Sequence, residues 1–158
     1  MPSYHLAQVN FARLIAPTDD PRLKDFMEQL DPINALAEGS PGFVWRLKSD
    51  SGNATDIKIS DDPLFIVNYS LWENVEALFE FAYKHPDHVA MFRRRLEFFE
   101  KHTDVYLVMW WVPAGTIPTI EQAYERLDHL RKHGATPYAF HFKQRFPEPA
   151  AEPQPITD

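Results

Sequence analysis

Gln8 and Asn10 alternate with Ala7, Val9 and Phe11, which puts both amides on one face and predicts a first strand from Tyr4 to about Leu14. The run Ala16-Pro17-Thr18-Asp19-Asp20 ends it, and Asp20 followed by Pro21 is a favourable helix entrance. Leu23, Phe26, Met27, Leu30, Ile33 and Leu36 or Ala37 then recur at helical spacing until Gly39. Pro32 is expected to kink or split that helix, because it lacks an amide N–H. Phe43 to Lys48 reads as a second strand, and Ser49 to Asp56 as a turn-forming stretch with Gly52-Asn53 at its tip.

Leu64 to Trp72 predicts a third strand in which Asn68, Ser70 and Trp72 alternate with Val67, Tyr69 and Leu71. Helical spacing follows at Val75, Leu78, Phe79 and Ala82, breaks at His85-Pro86, and resumes at Val89, Phe92, Leu96 and Phe99. Val105 to Val112 is a fourth strand, closed by Pro113-Ala114-Gly115. The order β-α-β-β-α-β is the split βαβ arrangement of ferredoxin-like α+β folds. A further helix begins at Thr119, whose spacing to Gln122 makes a capping box, and ends at Gly134; Tyr138 to Lys143 alternates as a fifth strand at an edge. Residues 1–146 are expected to form one domain, with 147–158 a Pro-rich flexible tail.

Composition narrows the function. The 158 residues carry a net charge of -7, which opposes phosphate backbones and anionic membranes, so neither nucleic acid nor a membrane is expected as a partner. No cysteine is present, which removes disulfides, thiolate nucleophiles and cysteine-bound metal clusters. The N-terminus lacks a basic stretch followed by an apolar run, so a cytoplasmic protein is expected. Val105 to Val112 is the longest apolar run and far below the roughly 20 residues that span a bilayer. Phosphate loops, dinucleotide fingerprints and nucleophile elbows are missing. RNA-recognition domains share the element order, but their basic-aromatic signature does not occur.

Polar groups inside an apolar strand need a partner or a cavity, and Asn10, Asn68 and Ser70 on strand faces argue for a lined cavity. His88, Phe92, Arg95 and Phe99 lie within roughly 60° of one another on an ideal helix, with His88 and Arg95 on one flank of the apolar stripe. An imidazole there suits a general base, and a guanidinium suits an anionic group. The plainer alternative is a boundary histidine and an arginine whose stem covers apolar surface. Trp45, Trp72, Trp110 and Trp111 are equally suited to core or cavity wall; Arg46 and Trp45 must point opposite ways. His85 precedes the helix break and has no third strong ligand nearby with His88, and His129 and His133, four apart on one helix face, read with Arg131 and Lys132 as basic residues at a helix C-terminus, so no metal is assigned.

His5-Leu6-Ala7-Gln8-Val9-Asn10, Ser40 to Leu47, Gly52 to Asp56, Ser70 to Leu78 and Trp110 to Gly115 together resemble a bacterial domain-of-unknown-function family (number 3291), over about Tyr4 to Phe146. The family looks like a member of the dimeric α+β barrel superfamily, similar to antibiotic-biosynthesis-type monooxygenases. That resemblance implies a homodimer packed sheet to sheet, with a small-molecule cavity between sheet and helices in each subunit. It also implies two chemistries, cofactor-free oxygenation and haem degradation. Haem degraders use an Asn on the first strand, a Trp ending the third and a His on the next helix; Asn10, Trp72 and His88 occupy similar elements, although His88 lies further along. The expected site is His88, Asn10 and Arg95 for catalysis, with Asn68, Ser70, Trp72 and Trp110 holding the ligand. A haem-binding protein and a non-catalytic metabolite-binding dimer are the alternatives, and no cofactor is specified.

Overall fold

The computed structural model describes residues 4–48 and 61–149. Its elements are β1 (Tyr4–Arg13), α1 (Lys24–Glu38), β2 (Phe43–Arg46), β3 (Phe65–Trp72), α2 (Val75–Phe79), α3 (Pro86–Arg93), α4 (Arg95–Phe98), β4 (Leu107–Pro113) and α5 (Ile120–His133). The four strands form an antiparallel sheet in the order β2-β3-β1-β4, the arrangement of a ferredoxin-like fold. The turn expected over Ser49–Asp56 lies outside the described residues, as does the tail from residue 150.

Strand parity divides the sheet into two faces. On the inner face, β1 and β3 set Leu6 opposite Trp72, Gln8 opposite Ser70 and Asn10 opposite Asn68. Helices α1 to α4 cover this face through two buried clusters, one around Leu6, Trp72, Leu78 and Phe81 and one around Leu14, Leu23, Ile66 and Phe98. Ala7, Val9, Phe11, Val67, Tyr69, Leu71, Val108, Trp110 and Val112 make the centre of the outer face, apolar apart from one phenol.

That outer face is where a second copy was expected to dock, and it is already taken. Ala123, Leu127 and Leu130, spaced along one side of α5, bury against it, and Tyr124 stacks on Phe11 with ring centroids 4.6 Å apart. The Tyr69 hydroxyl donates to the Pro118 carbonyl at 2.6 Å, which pins the approach to α5, and burial pushes its phenol above the ordinary range. Each of these nine outer-face residues is at most 4% exposed in the single chain. A sheet-to-sheet dimer therefore cannot form while α5 is seated. The reason is that an amphipathic helix attached to the same chain reaches this face without any cost of bimolecular association.

Local chemistry explains the other departures from expectation. Pro32 sits inside α1 without splitting it; the residue faces solvent, where the carbonyl left without a donor is free to bind water. The second helical region is three pieces, because His85 adopts an extended backbone (ψ 121°) and Arg94 departs from helical geometry (ψ 8°). Between α2 and α3 the Glu80–Lys84 turn is π-helical, with the His85 N–H bonded back to Glu80 at 3.0 Å. The strand expected over Tyr138–Lys143 is reduced to one antiparallel bridge, Phe140 with Met109, on the free edge of β4. There the chain passes from the outer to the inner face, and local bridges Thr136 to Ala139 and His141 to Gln144 turn it too sharply for a continuous ladder. Phe146 then fixes the end of this strap, its carbonyl accepting from Trp111 Nε1 at 2.9 Å. The Thr119–Gln122 capping box forms as the spacing requires.

Candidate functional site

A cavity of about 290 Å³ lies between the inner face of the sheet and α1, α3 and the π-helical turn. It brings together Asn10, Asn68, Ser70, Trp72, His88 and Arg95, six of the seven residues singled out from the sequence. Trp110 is the exception. It belongs to the outer face, 1% exposed, under the Arg126 guanidinium of α5 at 5.7 Å. The cause is register: β1 pairs Gln8 with Met109, so Leu107, Met109 and Trp111 turn inward and Trp110 outward. Arg46 faces the cavity and bonds Glu38 at 2.7 Å, whereas its neighbour Trp45 packs edge-on to Tyr69 on the other side.

The floor of the cavity is a row of amides organised by Gln8. Its Nε2 donates to Ser70 Oγ at 3.1 Å and to Asn68 Oδ1 at 3.3 Å, while its Oε1 accepts from Asn10 Nδ2. Trp72 Nε1 donates to the same Ser70 oxygen at 2.8 Å, which fixes the indole as a wall beside the amides. Asn10 and Asn68, opposite each other in register, are linked through Gln8 and not directly. This leaves Asn10 Oδ1 and Asn68 Nδ2 without hydrogen bonds among the described residues, one acceptor and one donor at the cavity surface.

His88 is held by a consequence of the helix break. In a continuous helix the Ala82 carbonyl would accept from the N–H of residue 86, but that residue is Pro86 and has none. His88 Nδ1 occupies the vacancy at 2.7 Å. A carbonyl only accepts, so Nδ1 carries the proton and Nε2 keeps its lone pair. No described residue bonds Nε2. Burial lowers the imidazole below its ordinary 6.5; the Ala82 bond works against this and nearby His85 adds to it. The ring packs on Phe81, centroids 4.9 Å apart, and is neutral at pH 7.

Arg95 lies at the solvent end of the site. Its guanidinium rests over the Phe92 ring at 4.5 Å and donates to the Phe92 carbonyl at 3.1 Å; among the described residues it makes no ion pair. Tyr106, stacked on His102 at 3.6 Å, and Phe142 of the strap, packed edge-on to Tyr83 at 5.0 Å, complete the walls. Gln8, Phe26, Tyr106 and Phe142 were not chosen as site residues from the sequence. The parity of Gln8 with Asn10 was the one available signal; the others depend on tertiary register. Among the described residues no three His, Cys, Asp or Glu side chains converge on a metal-sized space, and no helix is long and apolar enough to cross a membrane.

SnoaB, a cofactor-independent oxygenase from Streptomyces nogalater, superposes at TM-score 0.45 and 14% identity, covering 73% of this chain and 98% of its own. A monooxygenase from the ActVA-Orf6 gene of Streptomyces coelicolor, solved with nanaomycin D, gives 0.44 and 16%, with coverage of 75% and 96%. A dabb family protein with a ferredoxin-like fold from Mesorhizobium loti gives 0.40 and 18%, with coverage of 73% and 97%. At this distance none of them assigns a residue or a reaction to this chain. No curated protein matches the sequence. Residues 5–156 match the family model of DUF3291, a domain of unknown function, and the chain belongs to that family.

Proposed function

We propose that this protein binds a small organic molecule in the inner cavity and oxidises it without a cofactor, in the manner of a monooxygenase. The observation that carries the reading is His88, a neutral imidazole in a fixed tautomer whose Nε2 has no partner and whose ring lines the cavity. The reaction class follows the sequence resemblance; the geometry supplies a base suited to starting it. His88 Nε2 takes a proton from an activated CH₂ of the substrate, and the resulting carbanion is delocalised as an enolate. Asn68 Nδ2 donates to its oxygen, Asn10 Oδ1 accepts from a hydroxyl of the substrate, Arg95 offsets its charge, and Ser70 and Trp72 fix its plane. The electron-rich carbon reduces O₂ to a bound hydroperoxide, which takes up a proton and loses water, so that CH₂ and O₂ become C=O and H₂O.

Haem, which the resemblance also implies, fits less well. A cavity of about 290 Å³ lies at the small end of organic-ligand sites, well below the size of a porphyrin. Any pairing of two copies would use a surface other than the sheet, since α5 covers it.

Oxygen uptake by the purified protein with an anthrone tests the proposal. Turnover that falls about a hundredfold in His88→Ala is the expected result, the scale of a lost general base. Uptake unaffected by the substitution overturns the role of His88. Binding without any uptake leaves a metabolite-binding protein in its place.

A further inference from the structure

The charge of the cavity is opposite to the charge of the chain. With 23 Asp and Glu against 16 Lys and Arg, acidic residues dominate the sequence, yet among the described residues no carboxylate lines the cavity. Its two charged lining residues are Arg46 and Arg95. Arg46 is paired with Glu38, but Arg95 has no acidic neighbour within ion-pair distance among the described residues and spends one N–H on a carbonyl. Because Phe92 supports the flat face of the guanidinium, the remaining N–H groups are left at its edge, the geometry that receives an oxyanion.

The rest of the cavity selects shape. Trp72, Phe26, Phe81, Phe92, Tyr106 and Phe142 contribute rings from six separate parts of the chain, and flat walls favour a flat guest. Asn10 Oδ1 and Asn68 Nδ2 offer one acceptor and one donor on the sheet floor. We infer that the ligand is a small planar aromatic molecule carrying one anionic oxygen group, which it places at Arg95 with its rings between the aromatic walls and the amide row. This rests on the cavity reading above, and it adds the charge, shape and orientation of the guest.

The test is binding, so it does not depend on turnover. The probes are 2-naphthoate, its neutral counterpart 2-naphthamide and the cation 2-naphthylmethylammonium, titrated calorimetrically into the full chain. Shifts of the Asn10 and Asn68 side-chain amide resonances report whether each probe sits in the cavity. The naphthoate is expected to bind about tenfold more tightly than the amide, the ammonium most weakly, and the preference should shrink with added salt. In Arg95→Gln, at an exposed position, naphthoate and naphthamide should bind alike while naphthamide affinity holds. Equal affinities of all three probes in the wild-type cavity would overturn the inference and leave the cavity reading intact. Absence of binding by any probe would remove both. A naphthoate preference that survives Arg95→Gln would overturn the assignment of the anion to Arg95.

Discussion

Replacement of Gln8 by Met tests whether the amide row is a fixed structure or a loose set of side chains. Met has nearly the length and volume of Gln, so packing changes little while three hydrogen bonds disappear. At about 1 kcal/mol net for each, the upper limit of the loss is about 3 kcal/mol. Exposure reduces it. Asn68 is open to solvent and Asn10 half-buried, so both regain bonds to water when Gln8 goes. Ser70 is 8% exposed and keeps its bond from Trp72, so its oxygen is not orphaned. Burying a thioether where an amide was 3% exposed recovers a little more. The expected destabilisation is about 1–2 kcal/mol, read as a shift in the urea midpoint at unchanged slope. Trp72 should keep its native fluorescence, since its indole bond remains. A loss under about 0.5 kcal/mol would mean that water already holds these amides, and the fixed floor on which ligand orientation depends would have to be abandoned.

Other expectations follow from separate parts of the structure. Because burial depresses the His88 pKa, the unfolded chain takes up its proton first as pH falls; the stability contribution is complete above 6.5 and is lost progressively below it, towards the lower folded value. His88→Gln should flatten that slope in denaturant titrations from pH 7.5 to 5, and an unaltered slope would move its origin elsewhere. Pro86→Ala supplies a backbone N–H that competes for the Ala82 carbonyl, so the His88 ring should lose its single tautomer, visible in its ¹⁵N shifts; an unchanged spectrum would reject this account of the helix break. Gly42 has φ +83°, and a Cβ there would lie 2.5 Å from Ala77 Cβ, so Gly42→Ala is expected to cost about 2–4 kcal/mol, measured by thermal unfolding. Leu127→Ala, which opens a void between α5 and the sheet, should cost about 3 kcal/mol, and a cost below about 1 would show that α5 is only loosely seated.

How much could be read beforehand depended on whether a signal was local. The period of two placed Gln8, Asn10, Asn68 and Ser70 on strand faces, and pairing of β1 with β3 then put all four on one side. His85-Pro86 marked a break by chemistry that any sequence shows, but the use of that break, a carbonyl freed for His88, needed the coordinates. Trp110 and Trp111 differ by one position, and parity within β4 cannot say which side faces the helices until its partner's register is known. The fate of the outer face was within reach. Ala123, Leu127 and Leu130 make an apolar stripe on α5 that had to be buried somewhere, and an uncovered sheet face was the available place.

Helix α5 gives this chain an unusual independence of abundance. A protein whose sheet is completed by a second subunit loses stability on dilution, because mass action separates the halves; here the covering element is tethered, and its effective molarity does not change with how much protein is made. Melting temperatures should accordingly coincide at nanomolar and millimolar strength, and a damaged copy in a mixed population would have no route through this face to poison an intact one.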